Sequence, residues 1–229
     1  MKRFWTTAEA VEGERGWAIL LDARPLKTPA RAELVVAAEA LARAIAREWA
    51  DAAAEVDPRA MPLTGLANAA IDHVAPDRAG FAGGLAHFAA ADLLCYRAEF
   101  PAALVERQAL AWDPLLAWAR ARFAVEFTVT PGVAPVVQPA ATVARLGEAV
   151  SALDAFTLAG LSPLVTIGGS LVTALALLED AVGIEAAWAA VSLDEQWQIA
   201  RWGADAEAVA ALANRKRDFA AGKAFLALL

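Results

Sequence analysis

The sequence predicts an α+β protein, a small antiparallel β-containing N-terminal region followed by a mostly α-helical C-terminal domain. Three observations carry this expectation. Strand and turn signals crowd into residues 4–36. Beyond Pro76-Asp77 they nearly vanish, and apolar spacing near 3.6 residues takes over. Hydrophobic residues make up 59% of the 229-residue chain, much of it alanine, which supplies helix propensity more than apolar bulk. The expected division is an N-terminal α+β domain over residues 1–75 and a helical domain over residues 76–229.

Residues 4–10 and 17–21 are apolar runs separated by Glu12-Gly13-Glu14-Arg15-Gly16, a hairpin signal. Asp22-Ala23-Arg24-Pro25 reads as a second turn, with proline setting φ. Leu26-Lys27-Thr28-Pro29 and residues 33–36 read as short extended segments. The first helix is expected over residues 37–54, with Leu41, Ile45 and Trp49 on one stripe. Glu39 with Arg43, and Arg47 with Asp51, are i,i+4 charge pairs on other faces. Val56-Asp57-Pro58 ends it, Met61-Pro62 stays extended, and residues 63–74 form a second helix.

In the C-terminal part, residues 81–96 read as helix, weakened by Gly83-Gly84. Residues 101–123 form another, opened by Pro101, with a kink or break expected near Trp112-Asp113 because of Pro114. Residues 127–139 are β-branched and proline-rich, an extended crossover. Thr142 is placed to cap a helix carrying Leu146 and Val150. The uncharged run over residues 155–178 is long enough to span a bilayer. Gly160, Ser162-Pro163 and Gly168-Gly169-Ser170 split it, and no flanking Lys/Arg asymmetry is present, so a buried helix opened by Ser162-Pro163 is expected instead. Ser192-Leu193-Asp194-Glu195 is a capping box. Gly203 stops or kinks that helix, and residues 204–228 form a helical hairpin or one long helix.

Composition narrows the function. The formal net charge is −7, the reverse of a nucleic-acid binder's basic footprint. The basic run Arg215-Lys216-Arg217 reads as a solvated helix face. One cysteine, Cys95, excludes an intramolecular disulfide and a cysteine-based zinc site, and reads as a small buried packing residue. No apolar segment follows Met1-Lys2-Arg3, so a reducing cytoplasm is expected. Phosphate-binding glycine loops and a nucleophile elbow are missing from the sequence, and no cofactor or metal is expected. His73 and His87 lack metal-ligand spacing, and Asp72-His73 reads as a helix cap and dipole complement. The alternative from another class is a small soluble enzyme using Asp72, His73, His87 or Asp92 in a cleft between the two regions.

Tryptophan is the more informative residue. Eight Trp accompany a single Tyr, and several sit beside polar groups: Glu48-Trp49, Trp112-Asp113, Glu195-Gln196-Trp197-Gln198 and Arg201-Trp202. Tryptophan buries large area with few rotatable bonds, which suits interface hot spots as well as cores.

Ordered motifs run along the chain: Leu21-Asp22-Ala23-Arg24-Pro25-Leu26-Lys27-Thr28-Pro29, Glu48-Trp49, Met61-Pro62-Leu63-Thr64, Leu66-Ala67-Asn68 and Ala70-Ile71-Asp72. They continue with residues 92–97, Trp112-Asp113-Pro114-Leu115-Leu116, Leu161-Ser162-Pro163-Leu164-Val165, Leu193-Asp194-Glu195-Gln196-Trp197-Gln198-Ile199, Trp202-Gly203 and Asp205-Ala206-Glu207-Ala208. In this order they resemble the assembly chaperones of the F1 sector of ATP synthase, of the type that escorts the alpha subunit. Ala50-Asp51-Ala52-Ala53-Ala54 is blander than the family's glutamine-containing version. The resemblance implies a non-enzymatic chaperone whose partner is the free alpha subunit, with no nucleic acid, no membrane and a monomeric free state. It implies shielding of the surface later buried against the beta subunit. A bacterial cytoplasmic member is expected, eukaryotic relatives working in the mitochondrial matrix. Client contact is expected over residues 193–207, through Glu195, Trp197, Gln198, Trp202 and Asp205, with Trp49, Trp112 and Asp113 as further candidates. For Glu195 the capping box competes with that role.

Overall fold

The computed structural model describes residues 2–203 and 206–229. The N-terminal apolar runs form the expected hairpin. β1 (Ala8–Gly13) and β2 (Gly16–Leu21) pair antiparallel from Ala8↔Leu21 to Gly13↔Gly16, leaving Glu14-Arg15 as the turn. β2 is central, pairing also with β3 (Arg24–Pro25) and β4 (Val35–Val36). Gly16 has φ +121, and a Cβ there would lie 2.6 Å from the Val36 carbonyl oxygen, so glycine lets β4 close on the hairpin. The second turn is tighter than expected. Asp22 and Ala23 take φ of 46° and 65°, while Pro25 sits in an edge strand, where its missing N–H is harmless. The Asp22 carboxylate accepts from the Thr7 and Thr6 backbone N–H groups, which hold its pKa below the ordinary value.

α1 (Glu39–Ala50) buries Leu41, Ile45 and Trp49 against this sheet. α2 (Pro62–Ala69) has no cap of its own, and α1 supplies one. The Glu48 carboxylate accepts from Leu63 N and Thr64 N at 2.8 Å each and from Thr64 Oγ1 at 2.6 Å. The chain stays helical beyond residue 74, through a π turn (Ala70–Val74) and a 3-10 turn (Ala75–Asp77) into α3 (Arg78–Ala86). Pro76 is tolerated at the start of the 3-10 turn, where no N–H is required.

Two compact units result, one of Met1–Arg78, Asp154–Gly160 and Ala224–Leu229, the other of Ala79–Leu153 and Leu161–Lys223. The core of the first holds Trp5, Ile19, Leu41, Ile45, Trp49 and Phe225. Trp5 donates its indole N–H to the Trp49 carbonyl at 3.0 Å, and Phe156 stacks on Phe225.

In the second unit α4 (Ala102–Phe123) runs through Pro114 without the expected break. Pro114 and Leu110 both face solvent, where water can serve the carbonyl that proline leaves unbonded. β5 (Tyr96–Arg97) and β6 (Thr130–Pro131) pair in parallel, so the crossover is extended as expected. Thr142 does not cap α5 (Ala140–Ser151): its hydroxyl donates to the Glu126 carbonyl and accepts from the Glu126 N–H, tying down the crossover.

The uncharged run forms two helices, α6 (Ala155–Gly168) and α7 (Leu171–Leu178). Asp154 caps α6 through Phe156 N and Thr157 N, so the helix begins before Ser162-Pro163 and passes through them. It breaks at Gly169, φ +65, and Ser170 caps α7. Among the described residues no helix is long and apolar enough to cross a membrane. α8 (Ile184–Val191) and α9 (Leu193–Trp202) follow with only Ser192 between them. The hydroxyl of Ser192 donates to the Trp188 carbonyl and accepts from Gln196 Nε2, so the capping box does not form. The reason is continuity: Ser192 N bonds Trp188 O and Gln196 N bonds Ser192 O, leaving little helix end to cap. α10 (Ala206–Leu226) is one long helix.

Candidate client-binding surface

α9 sets the site because its two tryptophans lie on a helix that has no buried residue. Four residues after Trp197 comes Arg201, and four before Trp202 comes Gln198, both exposed, so neither ring belongs to a buried row. Trp197 is half-buried, with the Arg107 guanidinium 5.2 Å from its ring centroid. Trp202 is 73% exposed.

A groove of about 570 Å³ runs beside α9 within the second unit. Trp197, Gln198, Arg201 and Trp202 form one wall, and Phe100 and Leu104, with Val133, complete it. Its floor is fixed by Gln108, which is 1% exposed. Gln108 Oε1 accepts from Ala98 N at 2.7 Å, and its Nε2 donates to Asp194 Oδ1 at 2.7 Å. One side chain therefore ties α4 to both walls. Arg97 also lines the groove; it donates to Asp113 at 2.7 Å and to the Leu94 carbonyl at 2.9 Å, and lies over the Trp112 ring. On the other side of Trp197 lies a second groove of about 720 Å³, walled by Leu110 and Trp118 and by several alanines.

The structure brings Trp197, Gln198 and Trp202 together. Glu195 faces a neighbouring hollow with Gln198 and Trp202, where Arg215 pairs with one carboxylate oxygen and the other has no partner among the described residues. Asp113 is exposed but engaged by Arg97 behind the groove. Trp49 and Trp112 are buried: Trp49 belongs to the core of the first unit, and Trp112 donates its indole N–H to the Ala190 carbonyl at 2.8 Å. Both continue apolar stripes, Trp49 after Leu41 and Ile45 and Trp112 before Leu115 and Leu116, so they hold the fold rather than present surface. Asp205 lies outside the described residues. Sequence reasoning missed Phe100, Leu104 and Val133, whereas Arg201 falls within the segment 193–207 where contact is expected. A signal existed for two of them, since Phe100 and Val133 are bulky apolar residues in proline- and glycine-bearing loops, where no stripe requires them.

Of the residues considered for an enzyme, Asp72 and Asp92 bind backbone N–H groups. Asp72 accepts from Ala30 N at 3.0 Å. Asp92 is fully buried and accepts from Leu94 N at 3.1 Å and Val172 N at 3.0 Å, while burial pushes its pKa up to about 6. His73 and His87 are exposed. Cys95 is buried, and burial together with the neighbouring Asp92 charge pushes its thiol up to about 12.

Apolar grooves whose walls carry exposed aromatics suit the binding of another polypeptide, the class of protein that a chaperone fold serves. The ATP12 chaperone protein family matches residues 2–120. The crystal structure of Atp12 from Paracoccus denitrificans is 42% identical and superposes with a TM-score of 0.94, covering 99% of this chain and 97% of that one. The Atu1473 protein of Agrobacterium tumefaciens is 36% identical with a TM-score of 0.92, over 99% and 85% of the two chains. The mitochondrial protein atp12 of Schizosaccharomyces pombe is 29% identical over 216 residues, covering 88% of this chain and 74% of that protein. The chain belongs to the ATP12 chaperone family, the F1 assembly chaperones that its ordered motifs resemble.

Proposed function

We propose that this chaperone binds the unassembled alpha subunit of F1 ATP synthase and covers the surface that later packs against the beta subunit. The observation that supports this best is the concentration of exposed apolar side chains on the second unit: Phe100 at 78%, Leu110 at 79%, Val133 at 94% and Trp202 at 73%. A lone subunit of an obligate ring exposes comparable apolar area, and covering it prevents misassociation. In this reading the free chaperone is a monomer acting in the bacterial cytoplasm. The test is capture of purified alpha subunit by the tagged full-length chain, with and without beta subunit. Capture that beta subunit displaces is expected. No capture, or capture indifferent to beta subunit, would overturn the proposal.

A further inference from the structure

The lining of the groove beside α9 says what its occupant carries. Three charged residues line it: Arg97, Asp194 and Arg201. Arg97 is paired with Asp113, and Asp194 accepts from Gln108. Arg201 is exposed and makes no ion pair or hydrogen bond among the described residues. Arg107, stacked on Trp197 from the neighbouring groove, likewise has no ion pair among them. In a chain of net charge −7, the aromatic ridge of α9 is thus flanked by two guanidinium groups that have no ion pair among the described residues, Arg201 on α9 and Arg107 on α4.

We propose that the groove takes an apolar client segment bearing a carboxylate, whose bulky side chain packs among Phe100, Trp197 and Trp202 while its carboxylate meets Arg201. This rests on the groove being the client site. Charge complementarity selects the occupant: an apolar segment alone would leave Arg201 unpaired at the rim, and a basic segment would face like charge. Arg201 also lies in the last turn of α9, where any cation complements the helix dipole. That local role is indifferent to a client and is separated by the experiment.

Purified alpha subunit is titrated with the full-length chaperone as wild type, Trp202→Ala, Arg201→Glu and Arg201→Lys, with the thermal midpoint of each variant recorded. Trp202→Ala is expected to weaken binding about thirtyfold, as loss of an interface hot spot does. Arg201→Glu is expected to weaken it about tenfold or more, and Arg201→Lys less than about threefold, with thermal midpoints near wild type. A carboxylate-to-lysine change in the client segment should restore binding to Arg201→Glu. If Trp202→Ala weakens binding while Arg201→Glu binds like wild type, the carboxylate is wrong and the groove stands. If both bind like wild type, the groove is not the client site. Absence of wild-type binding overturns the choice of client itself.

Discussion

Trp49 and Trp197 each follow a glutamate within two positions, one on a helix of the first unit and one on a helix of the second. Trp49 closes a row with Leu41 and Ile45 and is sealed in a core. Trp197 is followed four residues later by Arg201 and half-faces solvent between two grooves. Adjacent helix residues point about 100° apart, so a polar neighbour in sequence says nothing about where a ring goes. The burial of the turns on both sides decides it: Trp49 follows the buried Leu41 and Ile45, whereas Trp197 stands between half-buried Leu193 and exposed Arg201. Trp112 obeys the same rule, with Leu115 and Leu116 beside it on the buried face of α4.

The largest effect that would break this comparison is on stability. Trp49→Ala should cost about 3–5 kcal/mol, as large aromatic truncations in cores do. Trp202→Ala should stay within about 0.5 kcal/mol, as exposed substitutions do. Denaturant unfolding of the two variants measures both, and equal losses would erase the distinction. Asp92 gives the next effect. Its pKa in the folded state is raised from 3.8 to about 6, so the folded chain binds more protons than the unfolded one between those values. Stability from this group is present at low pH and is lost as pH climbs from about 4 to about 6. The stability gap between wild type and Asp92→Asn should therefore narrow over that interval; a gap that widens contradicts the burial argument. The smallest effect sharpens the contrast between the two glutamates. Glu48→Gln removes a charge held by two backbone N–H groups and a hydroxyl, and should cost about 1 kcal/mol. Glu195→Gln, whose partner is the half-exposed Arg215, should cost less in the same assay.

The hairpin, the buried stripe of α1 and the long helix α4 were legible because each depends on residues near one another in sequence. Capping was not. Thr142 and the Ser192 box looked local, yet Thr142 serves Glu126, Ser192 sits in a nearly continuous helix, and the start of α2 is capped by Glu48 from another helix. The candidate groove was half legible for the same reason. Trp197, Gln198 and Trp202 stand together on α9, whereas Phe100, Leu104 and Val133 reach the groove from segments far away in sequence.

If the groove is the client site, as proposed above, Gln108 connects it to binding kinetics. A side chain bonded at once to the Ala98 N–H and the Asp194 carboxylate acts as a spacer that presets the groove's width before a client arrives. A mould already set loses little freedom when filled, so complex formation is spared the ordering of its own walls. Under that proposal, client variants that differ in affinity should differ mainly in how quickly they leave, as related complexes generally do.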